Sequence, residues 1–199
     1  WTDYMFKNGS VQSHSVSVSG GGNLARFALT ANYLKNDALI DNTNSDRLNI
    51  RANTSVSLLD NLSVNMDFNS YRTNRDEPLT GVLDYLYSTP PTTVARYPMK
   101  EGNNQVYYGN RPEQRNPAAL MERGGIRNYL EDNVSINIAP RWEVIPNLVL
   151  RGQYSYRVSS SAKREERAAW NFFDYNSGAF LQTWSAYHGA EKGRSSYYY

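Results

Sequence analysis

The sequence predicts an all-β fold made of antiparallel up-and-down strands from the wall of a large transmembrane β-barrel, with short helices in long extracellular loops. Three observations predict it: apolar and polar residues alternate with period two in six segments, the connections between segments alternate short and long, and many aromatic rings sit in a chain that is polar on average. Aromatics make up 13% of the 199 residues and include 16 tyrosines, yet the mean hydropathy is -0.68. No apolar run reaches the roughly 18 residues that a membrane-spanning helix needs. Barrel strands that turn apolar side chains to lipid and polar ones to a wet interior, between aromatic girdles, give this balance.

The first segment, about 11–19, sets Val16 and Val18 on one parity with His14, and Ser13, Ser15, Ser17 and Ser19 on the other. After the Gly20-Gly21-Gly22-Asn23 turn, the second (24–35) opposes Ala25, Phe27, Leu29, Ala31 and Tyr33 to Arg26, Thr30 and Asn32. The third (46–58) opposes Leu48, Ile50, Ala52, Val56 and Leu58 to Asn49, Arg51, Asn53, Ser55 and Ser57. In the fourth (62–72), Leu62, Val64, Met66 and Phe68 face away from Ser63, Asn65, Asp67 and Asn69, a set that no dry core accommodates. The fifth (128–142) opposes Leu130, Val134, Ile136, Ile138 and Trp142 to Glu131, Asn133, Ser135 and Asn137, and the sixth (147–158) opposes Leu148, Leu150, Tyr154, Tyr156 and Val158 to Arg151, Gln153, Ser155 and Arg157. Pro140 cannot donate to a ladder, so a bulge or strand end is expected there.

Short turns at 20–23, 59–61 and 143–147 alternate with long polar segments at 36–45, 73–127 and 159–199. Barrels of the outer membrane sort their connections in this way, tight on the periplasmic side and long on the extracellular side. The predicted wall turns Arg51, Asn53, Asn65, Asp67, Arg151 and Gln153 to the lumen. Within the 73–127 loop, Asn116 as N-cap, Pro117 at the first helical position and Gly124 as a stop predict a helix over 117–123. Leu79, Val82, Leu83 and Leu86 predict another that ends before Pro90-Pro91.

Little here points to catalysis. There is no cysteine, and the two histidines, His14 and His188, lie far apart, so no transition-metal site or cofactor is expected. The paired carboxylates Asp76-Glu77 and Glu165-Glu166 sit among Arg75 and Lys163-Arg164-Arg167 and read as a solvated, self-compensating surface. A net charge of +2, spread along the chain, excludes a nucleic-acid binder of the usual basic kind. The aromatic loops are the candidate ligand surface: Tyr97, Tyr107, Tyr108, Trp170 and Trp184, with Arg111, offer flat amphipathic rings beside polar groups, as sugar or peptide recognition requires. Self-packing of the loops is the plainer reading of the same rings.

The ordered set of Ser13 to Gly22 with its glycine turn, Tyr33 followed by a loop into Arg47-Leu48-Asn49-Ile50-Arg51, Pro90-Pro91, and Asn116-Pro117 shortly before a strand resembles the SusC/RagA-type TonB-dependent outer-membrane transporters, over most of the chain to about residue 158. The resemblance implies a Gram-negative outer membrane, a 22-stranded barrel around a plug, a SusD-like surface lipoprotein as partner, contact with TonB through an N-terminal part not present in this chain, and a glycan or peptide as cargo. The chain starts at Trp1 with no signal segment and has too few strands for such a barrel, so a truncated piece of a longer protein is expected. A soluble carbohydrate-binding β-sandwich is the alternative; there the same apolar rows would face one another across a core.

Overall fold

The computed structural model describes residues 1–102, 104–109 and 116–198. In chain order the elements are α1 (Thr2–Met5), β1 (Ser10–Gly21), β2 (Ala25–Asp37), β3 (Asn44–Leu59), β4 (Leu62–Pro78), α2 (Val82–Ser88), α3 (Pro117–Arg123), β5 (Ile126–Ile145), β6 (Leu148–Arg151), β7 (Tyr154–Arg167), β8 (Trp170–Phe173), β9 (Phe180–Trp184) and β10 (Tyr187–Tyr198). One antiparallel sheet runs β1-β2-β3-β4-β5-β7-β10, with β6 also on β5, while β8 and β9 form a separate hairpin. From β1 to β5 each strand pairs with the one before it, β6 and β7 lie in succession along the far side of β5, and β10 pairs with β7, so the topology is up-and-down. The turns at one edge are two or three residues long; at the other edge lie the N-terminal segment and the connections 38–43, 79–125 and 168–186.

Cross-strand partners share a face, so the register carries the alternation of each strand across the whole sheet. One row reads Val18, Leu29, Ala52, Phe68, Ile136, Tyr156 and Tyr198. The neighbouring row, on the opposite face, reads Ser17, Thr30, Arg51, Asn69, Ser135, Arg157 and Tyr197. The apolar face has no second layer: Leu48 is 42% and Met66 38% exposed, and Ile50, Val56, Val64 and Phe68 are only partly covered. The β-sandwich alternative required Leu48, Ile50 and Val64 to be enclosed by a second sheet of this chain, and they are not.

Two expectations are corrected. Pro140 neither ends β5 nor bulges it, since Val64↔Pro140 lies between Asn65↔Ala139 and Ser63↔Arg141 without a shift. In an antiparallel strand a residue's N–H and C=O point to the same neighbour. The Pro140 carbonyl accepts from the Gly152 amide at 3.1 Å, so the missing N–H is lost from that same side. The ladder lapses on the partner instead, at Gly152-Gln153, which split β6 from β7. The second correction concerns 159–199, which is not one long loop: β7 continues to Arg167, and a further strand, β10, pairs with it along its whole length. Period two is hidden there because His188, Ala190, Lys192 and Arg194 on one face and Gly189, Glu191 and Gly193 on the other are all small or polar.

The buried apolar side chains all lie outside this sheet, among the described residues. Met5 of α1, Val82 and Leu86 of α2, Ala118 to Met121 of α3, Tyr107 and Tyr108, and Trp170 and Phe172 of β8 form a cap over the long-loop edge.

Candidate functional site

Asn116 organises the cap. It is fully buried, and its Oδ1 accepts from the amides of Ala118 (2.9 Å) and Ala119 (3.3 Å), capping α3. Its Nδ2 donates to the carbonyls of Val94, Ala95 and Gly109 at 3.0–3.1 Å, which ties two other stretches of the loop to the helix start. Gly109 admits no side chain there, because a Cβ would lie 1.8 Å from the Val94 carbonyl oxygen. At the other end of α3 the chain turns into β5 through Gly125, whose φ of +94° lies in the region that glycine adopts without penalty.

Glu122 gathers the surrounding segments by accepting from the Tyr108 hydroxyl (2.7 Å), the Tyr4 hydroxyl (3.5 Å) and, as an ion pair, Arg96 (3.7 Å). Burial, together with the hydrogen bond to this carboxylate, pushes the Tyr108 phenol well above its usual range; burial and the nearby Glu122 charge raise that of Tyr4. In the 168–186 connection, Asp174 accepts from the Ser177 amide (2.8 Å) and hydroxyl (2.7 Å), which hold its carboxyl below the usual carboxylate range.

The structure sorts the aromatic candidates. Tyr107, Tyr108 and Trp170 are buried among the cap's own rings, with Tyr108 edge-on to Trp170 (6.0 Å) and Phe172 (6.1 Å). Their packing is the loop self-packing that the same rings allowed. Tyr97 is half-exposed and stacks on Tyr175 at 4.3 Å, and Trp184 is half-exposed beneath the Arg167 guanidinium at 4.9 Å. Arg111 lies outside the described residues. Tyr175 belongs to the aromatic set of the last loop that the sequence offered; what sequence reasoning missed is Lys100, whose ammonium lies over the rings of Tyr107 (5.2 Å) and Tyr175 (4.9 Å) and joins the two long loops.

On the polar face of the sheet the register brings Arg51, Asn53, Asn65 and Asp67 into adjoining positions, since Asn53↔Asp67 and Ser55↔Asn65 are partners and Arg51 pairs with Asn69. Arg151 and Gln153 lie on the same face farther along, Arg151 opposite Arg141. A larger site than this set lies toward the cap. A cavity of about 500 Å³ opens on the polar face between β4, β5, β7 and β10 and is lined by Thr73, Arg75, Tyr129, Glu131, Ser161, Lys163, Glu191 and Gly193. The Arg75 guanidinium lies 4.7 Å from the Tyr129 ring centroid. Lys163 lies 3.7 Å from Glu191 and 3.0 Å from Glu165, and Glu131 accepts from the Tyr71 hydroxyl at 2.9 Å. Opposed charges beside an aromatic ring, over a floor thinned by Gly193, suit a polar ligand that bears both donors and acceptors.

The charge runs that read as solvated surface are divided by the alternation. Arg164 and Glu166 pair on the outward face, whereas Glu165 turns to the polar face, is 6% exposed, and is clasped by Arg127, Lys163 and the Tyr187 hydroxyl. Only the unrecognised strand β10, which supplies Tyr187, Glu191 and Gly193, could have shown this site in the sequence.

No protein-family model matches the chain. Over 76 residues, 38% of its length, it is 25% identical to the TonB-dependent receptor P3 of Formosa agariphila, of which that stretch covers 8%. Among solved structures it is similar to the RagAB peptide importer in the closed-closed state, with a TM-score of 0.60 and 15% identity over 84% of this chain and 20% of that one. The chain thus spans less than a tenth of the receptor and a fifth of the importer chain that it matches. What the structural likeness carries is the architecture, one up-and-down antiparallel sheet with its long connections gathered at a single edge.

Proposed function

We propose that this chain is a run of neighbouring strands in the barrel wall of a TonB-dependent outer-membrane importer of the SusC/RagA type. The observation that carries the reading is the uncovered apolar face. A soluble protein leaves no contiguous apolar sheet face of this extent in water; in a bilayer the same face needs no partner. From Val134 to Trp142 on β5 the outward side chains Val134, Ile136, Ile138, Pro140 and Trp142 make an apolar side nine residues long. At about 3.4 Å per residue and a tilt of about 40° this stands roughly 23 Å high, close to the apolar band of barrels of this kind. The receptor of Formosa agariphila and the RagAB importer support the same reading by sequence and by fold.

On this reading Arg51, Asn53, Asn65, Asp67, Arg151 and Gln153 line the lumen, the short turns lie in the periplasm, and the cap lies at the cell surface of a Gram-negative outer membrane. The cavity at Arg75, Tyr129 and Lys163 lies on the lumenal route just below the cap. The cargo is a glycan or a peptide, delivered with a SusD-like surface lipoprotein that meets the cap, where Tyr97 and Trp184 keep part of their rings accessible. Energy comes from TonB through another part of the full-length protein.

The 199 residues contain no cysteine, so a labelling test needs no native cysteine removed from this stretch. Single cysteines at Ile50, Met66 and Ile136, and at Asn53, Asp67 and Ser135, are introduced into the full-length protein, labelled with a fluorophore and quenched by brominated lipid. Quenching at the first three alone is the expected result. Equal quenching of both sets, or of neither, overturns the assignment.

A further inference from the structure

The cap holds a cation of its own among its rings. Tyr107 and Tyr175 stand at 82° to one another with centroids 5.5 Å apart, so a point in the corner between them lies over both faces. Tyr97 stacks on Tyr175 at 4.3 Å and an interplanar angle of 9°, which covers one face of that ring. The other face receives the Lys100 ammonium at 4.9 Å, and the same ammonium lies 5.2 Å from the Tyr107 centroid. Tyr107 is 2% exposed and braced by Phe173 at 6.4 Å. Asp174 precedes Tyr175 in the chain, and the charge of Lys100 joins the hydrogen bonds from Ser177 in keeping its carboxyl ionised. The rings are fixed in the cap, but the lysine is carried on an open excursion. Its base is the Arg96↔Tyr108 bridge and the Tyr97 amide, which donates to the Tyr107 carbonyl at 2.8 Å. Beyond that base Met99 is 60% exposed, Glu101 and Gly102 are exposed, and a Cβ on Gly102 would meet nothing within 4 Å. Among the described residues the Lys100 ammonium has no hydrogen bond or ion pair, so ring faces and the field of Asp174 are what hold it.

We propose that the corner between Tyr107 and Tyr175 is a recognition site for a primary ammonium on an aliphatic stem, the lysine side chain of a cargo peptide, and that Lys100 fills it until such a side chain displaces it. The inference rests on the importer reading above, which supplies the cargo and sets the cap on its route. Ring faces attract cations through their quadrupole, more strongly once the cation is out of water, and they select for charge rather than for hydrogen-bond geometry. A carboxylate beside the rings favours the same sign of charge. The present occupant defines the chemistry, since an incoming lysine can reproduce both ring contacts of Lys100. The tethered lysine competes at a high local concentration, and it lowers the apparent affinity for an outside cation by the fraction of time that it occupies the corner. Exchange also alters the cap, because Lys100 belongs to the 79–125 connection and Tyr175 to 168–186. A bound ligand replaces one contact that joins these two connections and leaves the Tyr97 stack as the other.

The test uses the full-length protein in detergent, with titration calorimetry to measure binding. The probes are a glycine-rich peptide, capped at both ends, with a single central lysine, and the same peptide with that lysine acetylated on Nζ. Lys100→Ala empties the corner and should bind the lysyl peptide about tenfold tighter than the wild type does, a gain of the size that a desolvated ammonium over a ring supplies. Lys100→Arg keeps a cation over the rings and should stay near the wild-type affinity. K100A/Y175L should lose the gain, and the acetylated peptide should show none in any variant, with heat-modifiable mobility on gels showing that each variant is folded. Equal affinity of folded wild type and K100A for the lysyl peptide, or no binding to folded K100A, overturns the proposal and leaves the importer reading standing. A gain in K100A that is as large for the acetylated peptide overturns it in favour of simple loop opening. A wild-type protein that is monodisperse without detergent overturns the importer reading, and the proposal falls with it.

Discussion

Replacing Asn116 tests whether the cap is held by one side chain that works in two directions. In Asn116→Ala the α3 cap loses its acceptor for the Ala118 and Ala119 amides, which costs about 1 kcal/mol. The three carbonyls of Val94, Ala95 and Gly109 lose a donor group that has only two hydrogens to share among them. With the Val94 side partly open to water, one or two carbonyls are left buried and unpaired, at about 1–3 kcal/mol in all. The sum is about 2–4 kcal/mol for opening the cap, or roughly 30- to 700-fold at 1.4 kcal/mol per decade. Asn116→Asp separates the two roles. It keeps the cap acceptor but turns a carboxylate toward three carbonyl oxygens, and it should destabilise the cap at least as much as alanine does. The assay is amide hydrogen exchange in the full-length protein at Leu120, whose N–H is bonded to the Asn116 carbonyl, and at Gly124, bonded to that of Leu120. Faster exchange at both amides is expected in both variants, with the thermal unfolding of the sheet unchanged. Wild-type exchange in Asn116→Asp would refute the donor role, and wild-type exchange in Asn116→Ala would refute the whole assignment.

The other predictions concern the two faces and the hairpin loop. On the membrane reading, Ile50→Arg places a charge on the lipid side of β3 and should cost about 2–4 kcal/mol of stability in the membrane, whereas Asn53→Arg on the polar face should be tolerated; equal costs in reversible urea unfolding from lipid vesicles would contradict the assignment of faces. The depressed Asp174 carboxyl stabilises its turn in the ionised form, so this contribution is fully present above the unfolded carboxylate range and is lost as pH falls below about 4 through the folded value. Exchange at the Gly178 amide, which is bonded to the Asp174 carbonyl, should stay constant from about pH 7 to 5 relative to its intrinsic rate and accelerate below about 4. Asp174→Asn should remove that pH dependence, and a wild-type profile in the variant would contradict the mechanism.

The sheet was legible in the sequence wherever its two faces differ in polarity. Leu48, Ile50 and Ala52 against Asn49, Arg51 and Asn53 announce a strand because one parity must be apolar and the other must not. The same strands run on past that zone, to Asp37 on β2, Pro78 on β4 and Arg167 on β7, where both faces are polar and period two has nothing to record. Strand β10 lies almost wholly in this regime, and the charged cavity that it completes was hidden with it. The helix over 117–123 was legible for another reason, since its start and stop are local chemistry in Asn116, Pro117 and the glycines that follow Arg123. The burial of Tyr107, Tyr108 and Trp170 was not, because a ring in a loop carries no mark of which way it turns until Asn116 and Glu122 have drawn the segments together.

The register also shows how the strands are inclined. Projected onto β5, the β1–β2 turn closes level with Ala139, the β3–β4 turn level with Trp142, and the β5–β6 turn at Ile145. Each short turn thus falls three residues below the last for every two strands crossed. With about 3.4 Å per residue and about 4.8 Å between strands, turns that share one plane require strands tilted by about 45°. The upper edge of the apolar belt gives an independent value. It descends from Leu48 on β3 to Tyr198 on β10, whose level on β3 is Ala52, four residues lower across four strand spacings, a tilt of about 35°. The two edges bracket the inclination that a sheet must adopt to curl into a barrel. A flat soluble sheet has no reason to stagger its turns and its apolar margin in the same sense. The stagger is encoded in loop lengths at one edge and in side-chain polarity at the other, two features of the sequence that a common membrane plane, on the reading proposed above, brings into agreement.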